Sequence, residues 1–347
     1  MTAASERRVS TLVDRYLPAV RERMRASVPI VEGDVFGILR YHLGWQDSEG
    51  RPASEDSGKG LRAVLVLASC EMAGGQWREA LPAAAALELI HNFSLLHDDI
   101  QDQDATRRGR PTAWTVYGLH PALAAGNAMR VVADRTLLAL SEVGAPPETA
   151  AAAAAALTSR YLEMIEGQYL DLSFEESDEV TTGEYLDMVS RKTGALIDCA
   201  MHIGSLVATG DLRTAAAFGR CGRELGLAFQ IRDDLLGVWG DPAATGKPVG
   251  ADIRRKKKSM PIVHLFQQAD PRQREWLRSA YAADEVAGGD VESVLEMLAD
   301  LGAREFVQST AAEHAAAAVR AIEGLPLGAE AKADVHAMAD YFIERDK

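Results

Sequence analysis

Apolar residues recur along most of the chain at the three-and-four spacing of an amphipathic helix. Thr11 to Ala26 carries Leu12, Val13, Leu17, Val20 and Met24 as one stripe. Leu61 to Met72 is apolar and reads as a helix. A long apolar helix runs from Trp77 to about Ile100 and ends among acids. Pro121 suits the first turn of a helix over His120 to Leu140. Pro146 and Pro147 precede another, from Glu148 to about Phe174. Thr182 to Ala208 and Leu212 to Val238 predict two more, and four further helices fill Ser259 to Arg345. Gln46 to Ser57 and Gln103 to Thr112 read as loops, and Gly240 to Lys258, rich in Gly, Pro and charge, as a long loop or lid. No low-complexity linker or internal repeat interrupts this pattern. The expectation is one all-α domain over residues 1–347, with residues 1–10 a flexible N-terminus.

Composition sharpens that picture. Apolar residues make up 47% of the chain and aromatics only 6%. Alanine is abundant and runs of β-branched residues are scarce, which favours helix over strand. The net charge of −14 repels nucleic acid and anionic membrane surfaces, so neither is expected as a partner. It also makes any local basic cluster informative. Cys70, Cys199 and Cys221 are far apart with no CxxC spacing, which argues against a disulfide framework or zinc site and for the cytoplasm. Met1 to Ser10 is polar and Asp14 and Arg15 follow, so no signal-peptide core is present. Uncharged apolar runs such as Ala150 to Leu157 are too short for stable membrane insertion.

Two acid clusters carry the candidate chemistry. The first is Asp98-Asp99-Ile100-Gln101-Asp102, after the apolar run containing Leu89, Ile90, Phe93, Leu95 and Leu96. Asp98 and Asp102 are one helical turn apart and share a face, with Asp99 beside them. The second is Phe229-Gln230-Ile231-Arg232-Asp233-Asp234, with Asp241 sharing a face if the helix continues that far. A solitary acid pair is commonly a solvated helix end. Carboxylates crowded at the ends of two apolar helices repel unless a cation neutralises them, and oxygen-only ligands suit Mg²⁺. Basic residues alternate with these acids: Lys59 and Arg62 at a helix start, Arg107 and Arg108, Lys192, Lys247, and the run Arg254 to Lys258. The alternation suggests carboxylates on Mg²⁺, Mg²⁺ on diphosphate, and Lys and Arg completing the shell.

In this order the motifs resemble those of the trans-isoprenyl (polyprenyl) diphosphate synthases, over roughly Gly58 to Leu265. They are Gly58-Lys59-Gly60-Leu61-Arg62, His91 ahead of the first acid motif, Arg107-Arg108-Gly109-Arg110-Pro111-Thr112, Gly167-Gln168-Tyr169-Leu170-Asp171, Lys192-Thr193-Gly194, the second acid motif, and Thr245-Gly246-Lys247-Pro248. The resemblance implies the isoprenoid synthase fold, a large antiparallel helix bundle around a central cavity, and a homodimer. It implies that Lys59, Arg62, His91 and Arg108 grip isopentenyl diphosphate. Arg107, Lys192, Lys247 and Lys257 would contact the allylic diphosphate, with Thr193 and Gln230 beside the developing cation. The metal-binding set is Asp98, Asp99, Asp102, Asp233 and Asp234, and the cofactor is Mg²⁺, three ions with the allylic diphosphate bound. One departure stands out: the second motif usually reads DDxxD, and position 237 is glycine.

The resemblance also bears on product length. Phe93 precedes Asp98 by five residues, roughly 7–8 Å along the helix at about 1.5 Å per residue, with Ser94 next to it. An aromatic there beside a small residue resembles the microbial geranylgeranyl diphosphate synthases, which implies a C20 product. Farnesyl or longer products, a terpene cyclase on the same fold and a non-catalytic partner subunit stay open as alternatives. The intact Lys59, Arg62, His91 and Arg108 set argues against the cyclase. The retained Asp98, Asp102 and Asp233 argue against the partner subunit.

Overall fold

A computed structural model describes residues 3–31, 35–53, 58–175, 177, 179–246, 248–282 and 286–344. It is 79% helical. The helices are α1 (Ala3–Ser27), α2 (Val35–His42), α3 (Leu61–Met72), α4 (Leu81–Gln101), α5 (Ala113–Tyr117), α6 (Leu119–Leu138), α7 (Pro147–Glu175), α8 (Thr182–Val189), α9 (Ala195–Thr209), α10 (Leu212–Trp239), α11 (Pro242–Thr245), α12 (Ala251–Arg254), α13 (Met260–Gln268), α14 (Pro271–Ala282), α15 (Gly288–Asp300), α16 (Ala303–Ile322) and α17 (Ala329–Glu344). One short antiparallel ladder, β1 (Thr106–Arg107) with β2 (Arg110–Pro111), folds the loop after α4 back on itself. No helix among the described residues is long and apolar enough to cross a membrane.

The chain forms two compact units. An N-terminal unit comprises Ser10–Ser159 and Cys199–Phe218, and a C-terminal unit comprises Met1–Val9, Arg160–Asp198 and Gly219–Lys347. In the N-terminal unit α4 packs along α6 and against α3. Leu65, Leu67, Leu87, Leu89 and Ile90 form its fully buried centre. In the C-terminal unit α13 packs on α8, α15 and α16, and α16 packs on α17. Val238, Ile253, Ile262 and Leu277 lie in one of its cores, and Tyr185, Ile231 and Met260 in another.

Several sequence expectations change. Residues 3–10 are helical rather than a flexible tail: α1 begins at Ala3, Ser5 is buried, and its hydroxyl donates to Asp340 at 3.0 Å. Arg8 pairs with Asp334 and donates to the Glu330 carbonyl at 3.1 Å. The stretch read as one helix from Thr182 to Ala208 is two, joined by a single wide π-helical turn over Ser190–Gly194. Among the described residues after Ser259 there are five helices rather than four, because Pro271 opens α14 directly after α13. The helix α2 and the short α5 also went unread. Asp241 does not extend the face of α10. The helix ends at Trp239, and Asp241 caps α11 by accepting from the Ala243 amide at 2.9 Å.

Candidate active site

In the N-terminal unit the site is built at the end of α4. Asp98 is half-buried and Asp102 exposed, one turn apart. Asp99 is buried, and its Oδ1 accepts from Arg107 Nε at 2.5 Å. Burial pushes Asp99 up to about 6; Arg107 opposes this, and the nearby Asp104 and Asp102 carboxylates add to it. The returning loop is pinned under this end. Asp104 accepts through its carbonyl from the Trp114 indole and the Thr112 hydroxyl, each at 2.8 Å.

The cationic residues converge nearby. Arg62 Nη1 stands 3.2 Å from His91 Nε2. A Cβ on Gly58 would lie 2.5 Å from Arg108 Nη2, so that guanidinium lies directly on the Gly58 backbone. Lys59, next in sequence, is exposed. His91 is held well below the usual imidazole range by burial, then by Arg62, Arg108, Arg107 and His42. His42, at the end of α2, is pushed down to about 3 by burial, with Arg107 and Arg108 adding to it. A neutral imidazole surrounded by guanidinium groups marks a pocket of strongly positive potential, suited to a diphosphate. Glu88 is buried one turn before His91, and Asn92 donates to its carboxylate at 3.5 Å. Sequence reading missed both His42 and Glu88. Neither belongs to a quoted motif, and only the folded chain brings them to the arginines.

Phe93 is buried, and its ring meets His97 edge-on with centroids 4.7 Å apart. Ser94 returns its hydroxyl to the His91 carbonyl at 2.8 Å. That bond satisfies the serine within its own helix.

In the C-terminal unit the centre is the π turn. Lys192 and Thr193 sit on it, and α7 runs hard against it at Gly167. A Cβ there would stand 2.2 Å from the Lys192 amide nitrogen, so only glycine permits this approach. Arg223 holds the turn from α10, donating to the Ser190 hydroxyl at 3.2 Å and to its carbonyl at 3.4 Å. The same guanidinium reaches Asp198 and Glu163. Such side-chain bonds are one way to satisfy carbonyls that a widened turn takes out of the regular ladder. Lys192 pairs with Asp171. Thr193 donates to Gln230 Oε1 at 3.0 Å, and Gln230 Nε2 donates to Asp234 Oδ1 at 3.2 Å.

Asp234 is fully buried and surrounded by donors. Besides Gln230, it accepts from the Tyr185 hydroxyl, from the Met260 amide at 2.9 Å and from Lys257 Nζ at 3.2 Å. Asp233, its neighbour, is half-buried. Lys247 lies outside the described residues.

No three carboxylate, imidazole or thiol groups among the described residues stand close enough to hold a metal ion alone. Mg²⁺ keeps waters and shares its shell with substrate phosphates rather than filling a protein cage. The oxygen-only donors Asp98, Asp102 and Asp233 are of the type it takes.

Residues 51–298 match the polyprenyl synthetase family model. A geranylgeranyl diphosphate synthase of Mycobacterium tuberculosis is 42% identical over 282 residues, covering 81% of this chain and 79% of that protein. A (2E,6E)-farnesyl diphosphate synthase of Mycobacterium bovis is 36% identical over 311 residues, covering 89% and 85%. A crystal structure of a polyprenyl synthetase from Streptomyces coelicolor A3(2) superposes with a TM-score of 0.89 at 36% identity, covering 96% of this chain and 99% of that one. The chain therefore belongs to the polyprenyl synthetase family. It has the all-helical isoprenoid synthase fold and is a trans-prenyltransferase of the short-chain isoprenyl diphosphate synthase family.

Proposed function

We propose that this enzyme condenses isopentenyl diphosphate with allylic diphosphates, in the presence of Mg²⁺, to give all-trans geranylgeranyl diphosphate. The observation that carries the elongation reading is the Arg62 guanidinium 3.2 Å from a half-buried His91, whose proton affinity is lowered by burial and by Arg62, Arg108 and Arg107. A cyclase needs one diphosphate pocket at its acid motifs. In this reading Arg62, His91 and Arg108, with Lys59, would form a second, cationic one.

Asp98, Asp102 and Asp233 would hold Mg²⁺, which neutralises the leaving diphosphate. Asp99 and Asp234, read from sequence as ligands too, already have protein donors, Arg107 for one and four groups for the other. Their role is to hold the loops that carry the cations. Lys192, Arg107 and Lys257 are placed on carboxylates from which they can turn to phosphate oxygens. As the allylic C–O bond breaks, its electron pair leaves with diphosphate. The isopentenyl double bond attacks the allylic carbon, and a proton leaves the new cation to the departed diphosphate. The hydroxyl of Thr193, fixed by Gln230, lends an oxygen dipole beside that cation.

Product length follows from Phe93. Its buried ring, five residues before Asp98 on α4, would close the space for a growing tail below the acid end, which supports C20. The exposed apolar side chains Leu119, Leu123, Val131 and Leu138 of α6 support a homodimer through that helix.

The test incubates purified protein with Mg²⁺, isopentenyl diphosphate and each allylic starter separately, with mass spectrometry of the dephosphorylated products. A dominant C20 alcohol is expected. A C15 or C30 product keeps the enzyme class and removes the Phe93 reading. Absence of elongation with every starter, or a cyclic hydrocarbon, overturns the synthase reading.

A further inference from the structure

Arg108 stands in a backbone conformation that residues with a Cβ rarely adopt. The pairing of Thr106 with Pro111 and of Arg107 with Arg110 leaves Arg108 and Gly109 as a two-residue turn. Both have positive φ, 51° and 75°. That is the pattern of a type I′ hairpin turn, which favours Asn-Gly or Gly-Gly. Gly109 takes it up without strain. Arg108 pays for it, and such a conformation persists only where the surroundings over-determine it.

The residue just past the turn, Arg110, supplies that constraint from the C-terminal end of α2. Its Nη1 donates to the Tyr41 carbonyl at 3.2 Å and its Nη2 to the Gln46 carbonyl at 3.3 Å. Its guanidinium carbon lies 4.5 Å from the centroid of the Tyr41 ring. Carbonyls in the last turn of a helix lack helical partners and carry the negative end of its dipole, so a guanidinium is favoured there. Tyr41 returns the contact, donating through its hydroxyl to the Pro111 carbonyl at 2.8 Å. The Tyr41 ring is buried and meets Tyr117 edge-on with centroids 5.4 Å apart. Gln46 is itself tied back to α2: its Nε2 donates to the Gly37 carbonyl at 3.1 Å, and its Oε1 accepts from Arg40 Nε at 2.9 Å. On the other side of the turn Arg107 is bonded to Asp99. Arg108 is presented between these two anchors.

We propose that Arg110 is a positioning residue for isopentenyl diphosphate: clamped on Tyr41 and Gln46, it holds the strained turn that presents Arg108. Tyr41 is the second half of the clamp. Lysine at position 110 keeps the charge, but it cannot bond two carbonyls through one planar fork while stacking on a ring. Arg110 lines the same cleft as Asp99, Arg107 and Arg108, so clamping must be separated from direct contact with phosphate. The proposal rests on the reading of Arg108 as a contact to isopentenyl diphosphate.

The experiment measures steady-state kinetics for both substrates on the full-length chain as wild type, Arg110→Lys, Tyr41→Phe, Arg108→Gly, and the double variant that combines Arg108→Gly with Arg110→Lys. Arg110→Lys should raise KM for isopentenyl diphosphate by about tenfold or more and change kcat by less than about threefold. KM for the allylic substrate should rise less, because Arg107 keeps its own anchor on Asp99. Tyr41→Phe leaves the ring under Arg110 and removes the bond to Pro111, and should raise KM for isopentenyl diphosphate by about threefold or more. A fraction of unfolded enzyme lowers kcat and leaves KM unchanged, so this split separates positioning from folding. Glycine at 108 adopts the turn without strain and carries no guanidinium to present. In that background Arg110→Lys should therefore change KM by less than about twofold. The proposal is overturned if Arg110→Lys keeps the wild-type KM, if both substrates are affected equally, or if the rise is as large with Arg108→Gly as without it, which would make Arg110 a direct phosphate contact. A wild-type KM for isopentenyl diphosphate in Arg108→Gly itself would instead overturn the underlying assignment of Arg108.

Discussion

Asp233 and Asp234 are adjacent in sequence and opposite in circumstance, and replacing each by asparagine should separate ligand from scaffold. Asp234 is fully buried and accepts from four donors. An asparagine can still accept from Tyr185 and Met260 through its one oxygen. Its amide nitrogen then faces Lys257 and Gln230, two donors left without an acceptor. Each buried orphan costs about 1–3 kcal/mol. Breaking a buried ion pair costs about 3–5 kcal/mol. The Lys257 side chain is 44% exposed and recovers part of that from water, so Asp234→Asn should destabilise by about 2–4 kcal/mol. Asp233→Asn, at a half-buried position, should cost less than about 1 kcal/mol. Urea unfolding without Mg²⁺ or substrate measures both, and Mg²⁺ with pyrophosphate should then stabilise wild type but not Asp233→Asn. If Asp234→Asn unfolds like wild type yet loses the Mg²⁺ response, Asp234 is a ligand and the scaffold argument is refuted.

Three further outcomes are expected. Arg223→Met deprives Asp198 and Glu163 of a guanidinium and releases the Ser190 turn; it should cost about 2–4 kcal/mol in urea unfolding and raise KM for the allylic substrate more than for isopentenyl diphosphate. His42 is held down to about 3 against an ordinary 6.5, so below pH 6.5 the unfolded chain takes up a proton that the folded one refuses, and stability falls as pH drops from 6.5 towards 3. The decline in urea midpoint between pH 7.5 and 5.0 should therefore be smaller for His42→Asn than for wild type, and equal declines would show that His42 does not contribute. Phe93→Ala should move the product, read by mass spectrometry, to chains longer by at least one five-carbon unit, with unchanged products ruling Phe93 out as the floor.

The long helices were legible because an apolar stripe of 3.6 period persists across α4, α7 and α10. The break at Ser190–Gly194 was not. A π turn adds one residue without removing helical character, and the apolar spacing on its two sides still looks continuous. What marks it is tertiary: the bare Gly167 of α7 and the guanidinium of Arg223 close on the turn from two other helices. The acid motifs show the same limit in chemical form. Side by side in sequence, Asp98 and Asp99 carry identical ligand potential, as do Asp233 and Asp234. Their surroundings are set by which one a helix turns into the protein, where a buried carboxylate must find donors or stay protonated. Spacing could place these residues on a face but could not supply Arg107 opposite Asp99 or Tyr185 opposite Asp234. Gly237 is the sharpest case. Read locally it is a lost carboxylate and predicts a weakened site. In the folded chain a Cβ there would stand 2.1 Å from Oδ2 of Asp252, a residue fifteen positions on, and no local spacing could reveal that close approach.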